Sequence, residues 1–176
     1  MDIFTIRFSD KVIDVKNFDW KRYITECLNS TGFCTVATRE ENGVWANPVY
    51  FAYDDKFNIY YISPPNARHM RNTRKDGRCA LTIFSTNFSP DGDVWGVYIE
   101  GKAVIVPDRE VENAYKVYFK RRFPKTGKDE DPPLAYKGGT AAWKFVKIVP
   151  LHVYYFDTRF FDEVRQEVPM SKLCRT

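Results

Sequence analysis

A chain of 176 residues fits one domain and can bury a real core. Aromatics make up 16% of it, with 14 Phe and 11 Tyr, which favours strands and flat-ligand surfaces over a simple helix bundle. The formal charge of +4 is modest and spread along the chain, which argues against a dedicated nucleic-acid binder. Cys27, Cys34, Cys79 and Cys174 form no CxxC pair and have no histidine spacing that suggests zinc, so free, mostly buried thiols are expected. The start MDIFTIRFSDK lacks a basic leader and a signal-length apolar core, and no run approaches a membrane span; a soluble cytoplasmic protein is the expectation.

Residues 1–17 carry Ile3, Phe4, Ile6, Phe8, Val12, Ile13 and Val15, the pattern of an edge strand or arm. Asn17 or Asp19 then caps a helix whose Trp20, Tyr23, Ile24, Cys27 and Leu28 form one apolar stripe, and residues 29–32 end it. From Gly32 the texture changes to strands. Residues 33–39 make the first, 40–43 turn the chain, and 44–53 return antiparallel. In this second strand Trp45, Asn47, Val49 and Phe51 share one side, and Ala46, Pro48, Tyr50 and Ala52 the other. Pro48 removes a ladder donor, so it belongs at an edge, a bulge or a place where the sheet splits.

A hairpin at residues 54–58 leads into a strand that stops at Pro64 and Pro65, and Asn66 is placed to cap a short helix beginning at Ala67. Arg68 and His69 lie in its first turn, followed by Arg71, Arg74, Lys75 and Arg78. Cations there oppose the helix dipole, which points to donors held for an external anion; a solvated basic helix on a sheet edge is the other reading. Residues 79–86 are the next strand and 87–93 a loop. Residues 94–106 form a long strand broken by Gly96 and Gly101, where the sheet coils or something approaches closely. Pro107 and Asp108 open a third helix with Val111, Ala114, Tyr115 and Tyr118 as its stripe, Lys120 to Arg122 at its basic end, and Phe123 and Pro124 as its stop. The polar segment 125–139 is a loop with the makings of a lid. Residues 141–149 and 151–156 are strands around Pro150, and the tail 158–176 packs through Phe160, Phe161 and Val164. Short antiparallel connections without βαβ units predict a barrel of about six strands within a single domain, 1–176.

His69 and His152 are the only histidines, and no serine or cysteine sits in a local nucleophile motif, so the chain offers no self-sufficient hydrolase. That suits a flavin protein, whose cofactor carries the redox step, and suits a pure binding module equally.

The series NPVYFAYDDKFNIYYIS, NARHMRN and DGRCALTIF resembles the FMN-binding split β-barrel of the pyridoxamine 5'-phosphate oxidase-like superfamily, over roughly residues 33–106. YFKRRFP is also similar to an uncharacterised branch of small split-barrel proteins without an assigned substrate. The resemblance implies a mainly β fold, a six-stranded antiparallel split barrel with flanking helices, and FMN as cofactor. It places Asn47, Pro48, Val49 and Tyr50 along the flavin ring, with Ile62 beside them, and Ser63, Arg68 and His69 on the phosphate. It also implies a homodimer with the flavin at the interface, Trp95 and Gly96 reaching it from the second subunit, the partner contact made by residues 94–99.

Ala67 stands where the family often has a small hydroxyl residue, and Trp95 and Gly96 where it has a polar amide. No counterpart of the C-terminal arginine and tryptophan set that recognises the pyridoxal substrate is present, which argues against vitamin B6 oxidation. The implied activity is an FMN-dependent oxidoreductase acting on a small acceptor, with NAD(P)H or another reductant such as a deazaflavin. The alternatives are a non-enzymatic flavin- or ligand-binding module and a haem-handling barrel, for which His152 is the available axial ligand.

Overall fold

Asp19 caps the first helix, α1 (Trp20–Ser30), by accepting the backbone N–H of Arg22 at 3.1 Å, and Trp20, Ile24, Cys27 and Leu28 are buried as the stripe predicts. The computed structural model describes residues 15–86, 89, 91–122 and 132–173. Eight strands follow α1: β1 (Phe33–Glu40), β2 (Gly43–Tyr50), β3 (Ala52–Tyr53), β4 (Ile59–Ser63), β5 (Arg78–Phe84), β6 (Trp95–Ile105), β7 (Lys144–Asp157) and β8 (Gln166–Glu167). Between them stand α2 (Arg68–Lys75) and α3 (Val111–Arg122), and α4 (Met170–Leu173) ends the described chain. All pairings are antiparallel, in the order β2-β1-β5-β6-β7-β4-β3, with β8 added beside β7. The sheet curls until β2 touches β4, which makes it a split barrel.

Inward residues of β1, β4, β5, β6 and β7 form the main core with α1. β4 is buried on both faces: Ile59, Tyr61 and Ser63 look into the barrel, while Tyr60 and Ile62 belong to a second aromatic cluster under α3 with Tyr118, Tyr136 and Phe145. Helix α1 packs on β5 and β6, whereas α2 packs on β1, β2 and β6. The β3–β4 turn is built by Asp54, whose carboxylate accepts the backbone N–H groups of Lys56 and Asn58, the Asn58 amide and the Tyr60 hydroxyl. Phe57 takes a left-handed φ of 60° in that turn.

Several expectations change. The path holds seven strands instead of six, because Phe51 gives its N–H to the Gly32 carbonyl and breaks the run 44–53, sending β3 to the far side of β4. Asn66 does not cap α2: Ala67 holds the cap position without a side-chain bond, and the Asn66 carbonyl serves Arg71 instead. Asp108–Glu110 form a 3-10 turn before α3 begins at Val111. Val97 and Ile99 are buried in the core and Gly96 is buried too, so of residues 94–99 the exposed Val94 and the partly exposed Trp95 and Tyr98 are the ones available to a partner. Val164 is exposed; the tail packs through Phe160 and Phe161 as expected, and through Val168 and Leu173. The arm 1–14, the segment 123–131, which includes Phe123, Pro124 and much of the expected lid, and Cys174 lie outside the described residues.

Pro150 does not divide two strands. It pairs with Gly101 inside β7, beside a bulge at Leu151 where the register shifts, a place that tolerates a missing N–H. A Cβ on Gly101 would lie 2.7 Å from the Val149 carbonyl oxygen and 2.9 Å from Ile148 Cγ2. Gly101→Ala is therefore expected to cost about 1–3 kcal/mol, read as a lower urea midpoint. Gly43→Ala, whose added methyl meets nothing within 4 Å, should leave that midpoint nearly in place.

Candidate functional site

The end of β4 and the start of α2 bring Ser63 and His69 together. Ser63 Oγ lies 2.7 Å from His69 Nε2, and both residues are buried. Burial lowers the His69 pKa from its ordinary 6.5, so the ring is neutral at pH 7. In the tautomer with a proton on Nε2, His69 donates to Ser63 and frees the hydroxyl hydrogen for a ligand. His69 thus stands behind Ser63, not beside it as a separate cationic donor. Arg71 and Arg74, both exposed, fold back along the surface onto the carbonyls of Asn66 at 2.6 Å and Pro65 at 2.8 Å, and fasten the proline turn to α2.

Unfolding restores the ordinary affinity of His69 for a proton, so below pH 6.5 the unfolded chain binds more protons than the folded one. The His69 contribution to stability is fully present above that pH and is lost as pH falls. His69→Gln should flatten the unfolding free energy measured by urea titration between pH 7.5 and 5; an unchanged slope would show that other groups carry it.

Arg68 is differently engaged. Its Nε and Nη2 each donate at 2.6 Å to the two carboxylate oxygens of Glu40 at the end of β1, and its guanidinium lies 4.3 Å from the centre of the Trp45 ring. Asn72, one turn along α2, donates to both Glu40 and Thr38 Oγ1 at 3.1 Å. Arg68 foremost, with help from Asn72, pulls the Glu40 pKa down to about 2. Glu40, Trp45 and Asn72 were missing from the expected site. Asn72 shares a helix face with Arg68, a signal in the spacing, but nothing local ties Glu40 to a helix 28 positions away.

On β2, Trp45, Asn47 and Val49 share one face, while Pro48 and Tyr50 lie on the other; Tyr50 meets Phe33 and Tyr118. The expected ring contacts are thus split between two faces. Pro48 does sit on an edge strand of the path. Ile62 faces the α3 cluster, opposite to Ser63. Trp95 pairs with Asp157 at one end of β7 while Ser63 pairs with Lys144 at the other, so a single chain does not bring Trp95 to Ser63.

FMN needs phosphate donors at one end and polar partners along a flat ring. Ser63 and Arg68 can supply the donors, and Asn47 Oδ1 is shut off from solvent with no hydrogen-bond partner, its amide nitrogen making a 3.5 Å contact with the Pro48 carbonyl. An orphaned acceptor on the strand that carries Trp45 suits a ligand with an N–H edge, and the residues fit the cofactor. His152, the one histidine open to a haem reading, is half-exposed, and its Nδ1 lies 3.0 Å from Glu167.

The curled antiparallel sheet, with a Ser–His pair and an arginine fork at its strand-to-helix corner, is that of a split-barrel protein. Residues 21–147 match the family model described as pyridoxamine 5'-phosphate oxidase, and the chain belongs to that family. A UPF0306 protein from Pasteurella multocida is 34% identical over 86 residues, 48% of this chain and 56% of that protein, so the match spans little more than half of the relative. An FAD-binding protein from Mesorhizobium loti superposes with a TM-score of 0.58 at 17% identity, over 84% of this chain and 94% of that one. A haem binding protein from Mycobacterium smegmatis gives a TM-score of 0.63 at 17% identity, over 84% of this chain and 56% of that one. At such identity these structures share the fold. Among the described residues no helix is long and apolar enough to cross a membrane.

Proposed function

We propose that the protein binds FMN and works as an oxidoreductase on a small acceptor, with electrons from NAD(P)H. The observation that carries the reading is the convergence of Ser63, backed by His69, and Arg68 at one corner, with the orphaned Asn47 acceptor on the strand beside it. When bound, FMN supplies the hydride and electron chemistry that no protein side chain here provides. Ser63 and Arg68 hold the phosphate, Asn47 orients the ring edge, and Trp45 shields one flank. The FAD-binding and haem binding relatives mark the other cofactors this fold carries; an exposed His152 paired with Glu167 does not favour haem.

The active form in this reading is a homodimer, with Trp95 closing the site from the second copy. Phe33 and Phe84, on adjacent strands and both about half exposed, lie with Ala37, Ala80 and Leu151 on the outer face and supply the apolar contact. The buried Cys27 and Cys34 and half-buried Cys79 are free thiols, which supports a reducing cytoplasmic setting. The purified protein should show flavin absorbance bands, sediment as a dimer, and bleach on anaerobic mixing with NADH or NADPH. A Soret band would assign haem instead, no chromophore with no uptake of added FMN would remove the flavin reading, and bound flavin that neither nucleotide reduces would leave a storage or binding module.

A further inference from the structure

Glu40 occupies the arginine that a ligand phosphate would need. Its two oxygens take the Nε and Nη2 edge of Arg68 at 2.6 Å each, the same fork that grips two phosphate oxygens. Trp45 covers a face of the same guanidinium at 4.3 Å. Glu40 is held in place from behind: buried Asn72 donates to it and is itself anchored on Thr38, which is 1% exposed. An arriving anion therefore has to share Arg68 with a fixed carboxylate or displace it.

Resting on the reading of this corner as a phosphate site, we propose that Glu40 is a built-in anionic competitor that holds the place of the ligand phosphate on Arg68 and selects for dianionic phosphomonoesters. The selection follows from charge. At equal distance a dianion is attracted to the guanidinium about twice as strongly as the single charge of Glu40. A phosphodiester, with one charge, only matches the carboxylate it must replace. A ligand without phosphate leaves the pair intact. Protonation does not relieve the competition in ordinary buffers, because Arg68 keeps Glu40 ionised down to about pH 2.

The test compares wild type with Glu40→Gln, and with Glu41→Gln as a control that removes the same charge at the exposed neighbouring residue. Binding is measured by calorimetry for inorganic phosphate and dimethyl phosphate, and by flavin fluorescence for FMN and riboflavin, with the urea midpoint reporting the fold. Glu40→Gln should tighten inorganic phosphate and FMN by about tenfold, leave riboflavin unchanged and narrow the preference of phosphate over dimethyl phosphate. Glu41→Gln should change none of these by more than about twofold. A folded Glu40→Gln protein that binds phosphate equally or more weakly would overturn the proposal and make Glu40 a positioning residue for Arg68. Tighter phosphate with no flavin binding in either protein would keep Glu40 as competitor and remove FMN as the ligand. FMN binding that Glu40→Gln does not alter would do the reverse, and proteins that bind neither anion would end both. Should Glu40→Gln fail to fold, Glu40→Asp, which withdraws the carboxylate by one methylene, should tighten phosphate by a smaller factor; no tightening would again overturn the proposal.

Discussion

Asp157→Ala is expected to destabilise the protein by about 3 kcal/mol, the low end of the range for breaking a buried ion pair. Asp157 is fully buried at the end of β7, where it accepts the Tyr155 hydroxyl and the Arg159 backbone N–H and takes Arg159 Nη2 at 2.7 Å. Arg159 lies 4.3 Å over the Trp95 ring and reaches Glu26 of α1 at 3.0 Å, so one carboxylate fastens strand to helix. Its bond to Asp157 holds the guanidinium charged well above the ordinary arginine range, while burial first and Asp157 second push the Tyr155 hydroxyl up. Removing Asp157 leaves a phenol and a guanidinium facing a hole. Arg159 keeps water on one side, which is why the low end applies. Thermal unfolding should fall by roughly 6–12 °C. A double-mutant cycle with Arg159→Met should show that most of the loss is coupling; additive losses would place the cost in the cavity.

The local grammar of the fold was legible. Alternation gave the strands, Asp54 the hairpin, and the spacing of Trp20, Ile24, Cys27 and Leu28 the buried face of α1. What stayed hidden was decided by partners distant in the chain. The break at Phe51 depends on the Gly32 carbonyl, and Asp157 gains its weight from Glu26, whose bond to Arg159 spans 133 positions. The site followed the same rule. Ser63 and His69 are six residues apart, so sequence could pair them. It read Arg68 as a donor open to solvent, because Glu40 and Trp45 arrive from another hairpin. It also grouped Pro48 and Tyr50 with Asn47 and Val49, although strand alternation had already put them on opposite faces.

Arg68→Ala should weaken FMN binding by roughly tenfold to a hundredfold, the scale of a lost charge-assisted fork, and leave riboflavin binding almost unchanged. Two losses act in the same direction. The phosphate loses its bidentate donor, and Glu40, no longer neutralised, sets a bare negative charge beside the ligand. Riboflavin has no phosphate and senses neither. Ser63→Ala should show the same selectivity at smaller size, since a neutral hydroxyl contributes less than a guanidinium. Salt separates the two variants: raising ionic strength should weaken FMN binding in wild type and in Ser63→Ala more than in Arg68→Ala, where the attraction being screened is already gone. Titrations in which Arg68→Ala weakens FMN and riboflavin equally would mean that Arg68, through Glu40 and Trp45, only braces α2 against the β1–β2 hairpin. The phosphate would then have to be sought at another cation of α2, and since Arg71 and Arg74 are turned onto the proline-turn carbonyls, binding there would first have to undo that turn.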